Sequence, residues 1–124
     1  MAQTRTNYYS RKIARLSRRV EEHRREFESN IGEKPAEDEA MHYLREGFGP
    51  CVSLYIESRT GGRLIEYSED EFETLESAMN SWLDLYVRCY GVEAEHDHTL
   101  REAAKLLIDT HNVHDTARVL TQVP

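Results

Sequence analysis

In Cys51-Val52-Ser53-Leu54-Tyr55-Ile56-Glu57-Ser58-Arg59-Thr60-Gly61-Gly62-Arg63-Leu64-Ile65-Glu66-Tyr67 the apolar residues leave the helical period of the rest of the chain. Val52, Leu54 and Ile56 alternate with Ser53, Tyr55 and Glu57, a period of two that reads as a half-buried strand. Arg59-Thr60-Gly61-Gly62 supplies turn residues before a second apolar run of Leu64, Ile65 and Tyr67. A two-residue Gly-Gly loop would set Glu57 against Glu66, like charge against like. A four-residue loop instead pairs Ile56 with Ile65 and Leu54 with Tyr67. The stretch therefore predicts an antiparallel β-hairpin.

On either side the period is helical. Ser68-Glu69-Asp70-Glu71 has the form of a capping box, Ser68 as N-cap and Glu71 reaching back to it. Tyr67 and Phe72 stand where a hydrophobic staple forms. The stripe Phe72, Leu75, Met79, Trp82, Leu83, Tyr86, Tyr90 predicts a central core helix, stopped by a left-handed Gly91 with Val92 folding back on Val87. Thr99 and Glu102 repeat the capping pattern before Leu100, Ala103, Ala104, Leu107 and Ile108. Asn112 reads as the stop of that helix, and Val113 to Val123 as a short last one. Upstream, Ile13, Leu16, Val20 and Phe27, with His23 in the remaining slot, form a narrow seam along a helix from about Asn7 to Asn30. Gly32 and Pro35 break it. A short second helix through Met41 and Leu44 ends at Gly47. The expected fold is α+β and mostly helical, four to five helices with one antiparallel β-hairpin, in the order α-α-β-β-α-α-α.

The 124 residues form one expected domain, 1–124. A hydrophobic share of 39% with 31% charged residues is polar for a globular chain yet short of a disordered one. No apolar run reaches the roughly 18 residues that span a bilayer, and the arginine-rich N-terminus lacks a secretory signal's apolar stretch, which gives a cytoplasmic address and no membrane partner. Cys51 and Cys89, with no Cys-x-x-Cys spacing, read as reduced and buried. A lone hairpin is marginal by itself, and the first-helix seam wants a mate; both features point to a homodimer, with the helix at about 7–30 packed on a partner chain.

Net charge is −7, unevenly spread. From Arg5 to Arg25 the chain carries Arg5, Arg11, Lys12, Arg15, Arg18, Arg19, Arg24 and Arg25 against Glu21 and Glu22. Arg11, Arg15, Arg18 and Arg19 are the candidate contacts to nucleic acid, with an acidic protein as the other partner class. Glu21, Glu22, Glu26 and Glu28 lie within helical reach of the later arginines, which lets part of this charge pair along the helix. A second candidate site is histidine-rich. His96 and His98, then His111 and His114, place four imidazoles within 19 residues, a set that could converge on one Zn²⁺, structural if all four close and hydrolytic if one position stays open. The bland alternative is that these are polar residues at helix boundaries. The chain has no Gly-x-Ser-x-Gly elbow, no P-loop, no Gly-x-Gly-x-x-Gly and no His-Glu-x-x-His. Gly47-Phe48-Gly49-Pro50 opens no helix in this reading and is no phosphate cradle. The expectation is an interaction or regulatory module in place of an enzyme, possible zinc chemistry being the alternative.

Overall fold

The computed structural model describes residues 2–29, 37–60 and 67–123. The helices are α1 (Ala2–Ser29), α2 (Glu37–Tyr43), α3 (Gly49–Arg59), α4 (Glu69–Arg88), α5 (Leu100–Thr110) and α6 (Val113–Thr121), with a five-residue π turn, Leu44–Phe48, joining α2 to α3. Among the described residues there is no strand, so the fold is all-helical and the α+β expectation with its hairpin is corrected. The presumed first strand is α3. The presumed turn glycines Gly61 and Gly62, and Leu64 and Ile65 of the presumed second strand, lie outside the described residues, as do Gly32, Pro35 and the Phe27 side chain.

The error has a physical cause. Cys51, Val52, Leu54, Tyr55 and Ser58 are buried, while Ser53 and Glu57 are exposed. That is a helical face, because residues three, four and seven apart share one side. The alternation of Val52, Leu54 and Ile56 is embedded in it, and the polar Ser58 conceals its far end. Ser58 tolerates burial because its hydroxyl donates to the Tyr55 carbonyl at 2.6 Å.

The Gly-Phe-Gly-Pro break is likewise internal to a helix. The Gly49 amide donates to the Leu44 carbonyl five residues back, and Pro50 stands directly behind it in the first turn of α3. The wider turn makes room for Trp82. A Cβ on Gly47 would stand 1.9 Å from the indole Cδ2, so the Trp82 ring, fully buried, lies directly on the Gly47 backbone. His23 and Tyr43 close around the indole, at ring-centre distances of 5.5 and 6.1 Å.

The cap signals flanking α4 are realised. The Glu71 amide donates to Ser68 Oγ and the Ser68 amide to Glu71 Oε1, at 3.1 and 3.0 Å. Gly91 takes a φ of +79° and the Val92 amide donates to the Val87 carbonyl. Leu75, Met79, Trp82, Leu83 and Tyr86 are buried. The α1 seam, with Ile13, Leu16 and Val20 buried, finds its mate within the chain, since α1 packs most extensively on α4. Ser10 also donates to the Glu71 carboxylate, tying the two helices at the capping box. The seam thus packs on a helix of the same chain, and α3 stands where the first strand of the hairpin was expected.

The backbone from His96 to Leu100, the first residue of α5, runs along α4 and is hydrogen-bonded to its side chains. The amides of His96, His98 and Leu100 donate to Asp84 Oδ1, Asn80 Oδ1 and Glu76 Oε2 at 2.8, 2.8 and 2.9 Å. Asn80 Nδ2 returns a bond to the His98 carbonyl at 2.9 Å. Two extended residues advance about 6.6 Å and four helical residues about 6 Å, so the two spacings match. Thr99 caps α5 as expected. Asn112, expected to stop α5, instead caps the start of α6 through Asp115, and His111 takes the left-handed stop at φ 54°.

Candidate functional site

The cationic residues of α1 overlook a groove of about 800 Å³ between α1, the α2–π–α3 rod and the start of α6. Leu16, Met41, Leu44, Pro50, Leu54 and Val113 supply its apolar surface. Leu16, Leu44 and Leu54 are recessed beneath the rim and buried. Lys12, Arg15 and Arg19 line one edge, and Arg45, Glu46 and Glu57 come from the π turn and α3. Lys12, Arg15 and Arg19 fall three and four residues apart, which aligns them along a single helix face. Among the described residues these three and Arg45 form no salt bridge; the pairs nearby on α1 are Arg24 with Glu21 and His23 with Glu26. Tyr8, 46% exposed, extends the line by one turn, with Lys12 Nζ 5.0 Å from its ring centre.

Residues 7–124 match the model of a family described as a domain of unknown function, DUF8055. The chain belongs to this family. No curated protein and no solved structure matches it.

In this DUF8055 chain the predicted arginines divide. Arg15 and Arg19 border the groove, whereas Arg11 and Arg18 lie on α1 outside its lining, both exposed. The four histidines also divide. His96 and His98 stack, ring centres 5.8 Å apart. His96 Nδ1 meets Asp84 at 2.7 Å, while His98 Nδ1 meets Glu102 at 3.1 Å and its Nε2 the Leu120 carbonyl at 2.9 Å. These contacts fasten the α4–α5 connection to α4, α5 and the end of α6. His111 is exposed at the α5–α6 turn, and His114 lines the groove with its ring 6.3 Å from that of Tyr86. Among the described residues no group of three or more His, Cys, Asp or Glu side chains is arranged to hold a metal ion. Nor does any helix among them have the length and apolarity to cross a membrane.

Both cysteines are buried free thiols. Burial pushes the Cys51 thiol far above its ordinary range. Burial, then the nearby Glu39 carboxylate, pushes Cys89 up to about 12. A nucleophile or ligand has to be a thiolate, so neither group is activated.

Sequence reading missed Arg45 and the apolar lining of the groove. Lys12 was within reach, since it precedes Arg15 by three residues and Arg19 by seven. Arg45 was not, because residues 44–48 read as the end of a helix and the wall they form depends on the π turn.

Proposed function

We propose that this protein is a non-enzymatic interaction module that holds an anionic macromolecular partner along α1. One observation carries the reading: an apolar floor lies recessed inside a rim whose cations, Lys12, Arg15, Arg19 and Arg45, form no salt bridge among the described residues. Desolvating such a rim is favourable only against an opposite charge, and the chain's net charge of −7 opposes indiscriminate attachment to polyanions. Contact is therefore local to this face.

A second reading, nucleic acid, is favoured by the exposed Tyr8 ring in line with the same cations, since bases stack on aromatic faces beside basic side chains. Retention on heparin and on single-stranded DNA, measured against salt concentration, tests the proposal. The expected result is retention at low salt, lost steeply as salt rises, and abolished by Arg15→Glu with Arg19→Glu. Absence of retention on both matrices at low salt would remove it.

A further inference from the structure

We infer that the groove accepts an acidic amphipathic helix of a partner protein, with apolar side chains on the floor and carboxylates on the α1 rim. The inference rests on the anionic-partner reading and specifies the partner's form.

Size is the first argument. Two turns of α-helix, ~11 Å long and ~10 Å across, fill on the order of 850 Å³. The groove holds about 800 Å³. Residues 12–19 of α1 and 49–57 of α3 flank it, and seven or eight residues of helix rise about 10–12 Å. Wall and occupant agree in length.

Chemistry is the second. The floor is aliphatic, Leu16, Leu44, Leu54, Met41, Pro50 and Val113, and His114 is the one aromatic ring in the lining among the described residues. That suits leucine or isoleucine anchors at i, i+3, i+4 and i+7 better than unstacked bases. Charge complementarity fixes the orientation. Lys12, Arg15 and Arg19 repeat at the spacing of one helix face, so glutamates spaced three and four apart on the occupant meet them in order. Glu46 and Glu57, from the π turn and α3, repel a ligand acidic all round and admit one whose acids lie on one flank.

The probe is a fluorescein-labelled, lactam-stapled helix of about 14 residues, with leucine at i, i+3, i+4 and i+7 and glutamate along one flank, the staple supplying the helicity that so short a peptide lacks. Fluorescence polarisation reads its affinity for the full chain. The comparison ligands are a composition-matched peptide with the leucines scattered, the same helix with lysine for glutamate, and a single-stranded oligonucleotide. The patterned acidic helix should bind best, weakened about tenfold or more by Arg15→Glu/Arg19→Glu and by Ser53→Trp. Ser53 is exposed and lines the groove, so the tryptophan fills the groove without entering the core. Equal binding of the scattered peptide, or indifference to Ser53→Trp, overturns the inference and leaves the anionic-partner reading intact. Tighter binding of the oligonucleotide overturns it in favour of nucleic acid. If the heparin column fails as well, both readings fall.

Discussion

Gly47→Ala puts the fit between the π turn and Trp82 to a severe test, because two effects of opposite sign compete. Within a helix, alanine is favoured over glycine by about 0.5–1 kcal/mol, so local propensity predicts a more stable protein. Packing predicts the reverse. The new methyl would lie 1.9 Å from Cδ2 of Trp82 and 2.3 Å from Cε2 and Cε3. Restoring an ordinary 3.4 Å contact moves ring or backbone by about 1.5 Å. The indole is fully buried and hemmed in by His23 and Tyr43, so the displacement spreads into a close-packed core. Overpacking of this kind costs about 1–3 kcal/mol and occasionally more. A net loss of about 1–2 kcal/mol follows, roughly a 3–10 °C fall in Tm for a chain of this length. Urea unfolding followed by far-UV circular dichroism measures it. In a Trp82→Leu background, itself destabilised by about 2–4 kcal/mol, the clash is gone and Gly47→Ala should become neutral or mildly stabilising. A penalty of the same size in both backgrounds, or none in the parent, would refute the reasoning.

Asn80→Ala removes the acceptor for the His98 amide and the donor to its carbonyl; a loss of about 2–3 kcal/mol is expected, with faster hydrogen exchange at the amides of His96, His98 and Leu100 read by NMR. Ser10's hydrogen bond, followed by those from Ser68, holds the Glu71 carboxyl below its ordinary 4.5. A depressed folded-state pKa means that this contribution to stability is complete above the unfolded value and is lost as pH falls through the folded one. Ser10→Ala should raise the Glu71 value in an NMR titration and flatten that acid limb; an unchanged titration would contradict the assigned cause. Cys51 and Cys89 should resist iodoacetamide at pH 8 in the folded protein and react after denaturation, as counted by intact mass.

What was legible in the sequence was chemistry that closes within a few residues. The Ser68–Glu71 box, the Gly91 stop and the Thr99 cap each need partners three to five positions apart, and each is present. The hairpin failed because a six-residue alternation is too short to exclude a helix, whose buried positions here are Cys51, Val52, Leu54, Tyr55 and Ser58. The hydrogen bond of Ser58 to its own helix shows how a polar side chain sits on the buried side. Gly47 could not be read at all without Trp82, 35 positions away. Glu76, Asn80 and Asp84, spaced four apart, look like a solvated stripe of α4 and are instead the polar track for residues 96–100. The groove was half visible: its Arg15 and Arg19 belong to a stripe that any reading of α1 finds, while its floor is gathered from α1, α2, the π turn, α3 and α6, which meet only after folding.

The π turn also resolves a matter of helical phase. Gly49 and Leu54 apart, the buried positions 40, 43, 44, 47, 48, 51, 52, 55 and 58 follow one 3.6-residue rhythm, which in a regular rod would address a single neighbour. A π turn holds about one residue more than an α turn, close to 100° of rotation. The part of the rhythm before it, on α2, meets α4; the part after it, on α3, meets α5 as well. A single apolar stripe is thereby shared between two helices. Were residues 44–48 to tighten into α geometry at constant length, α3 would swing by that same angle and turn from the neighbour it now serves.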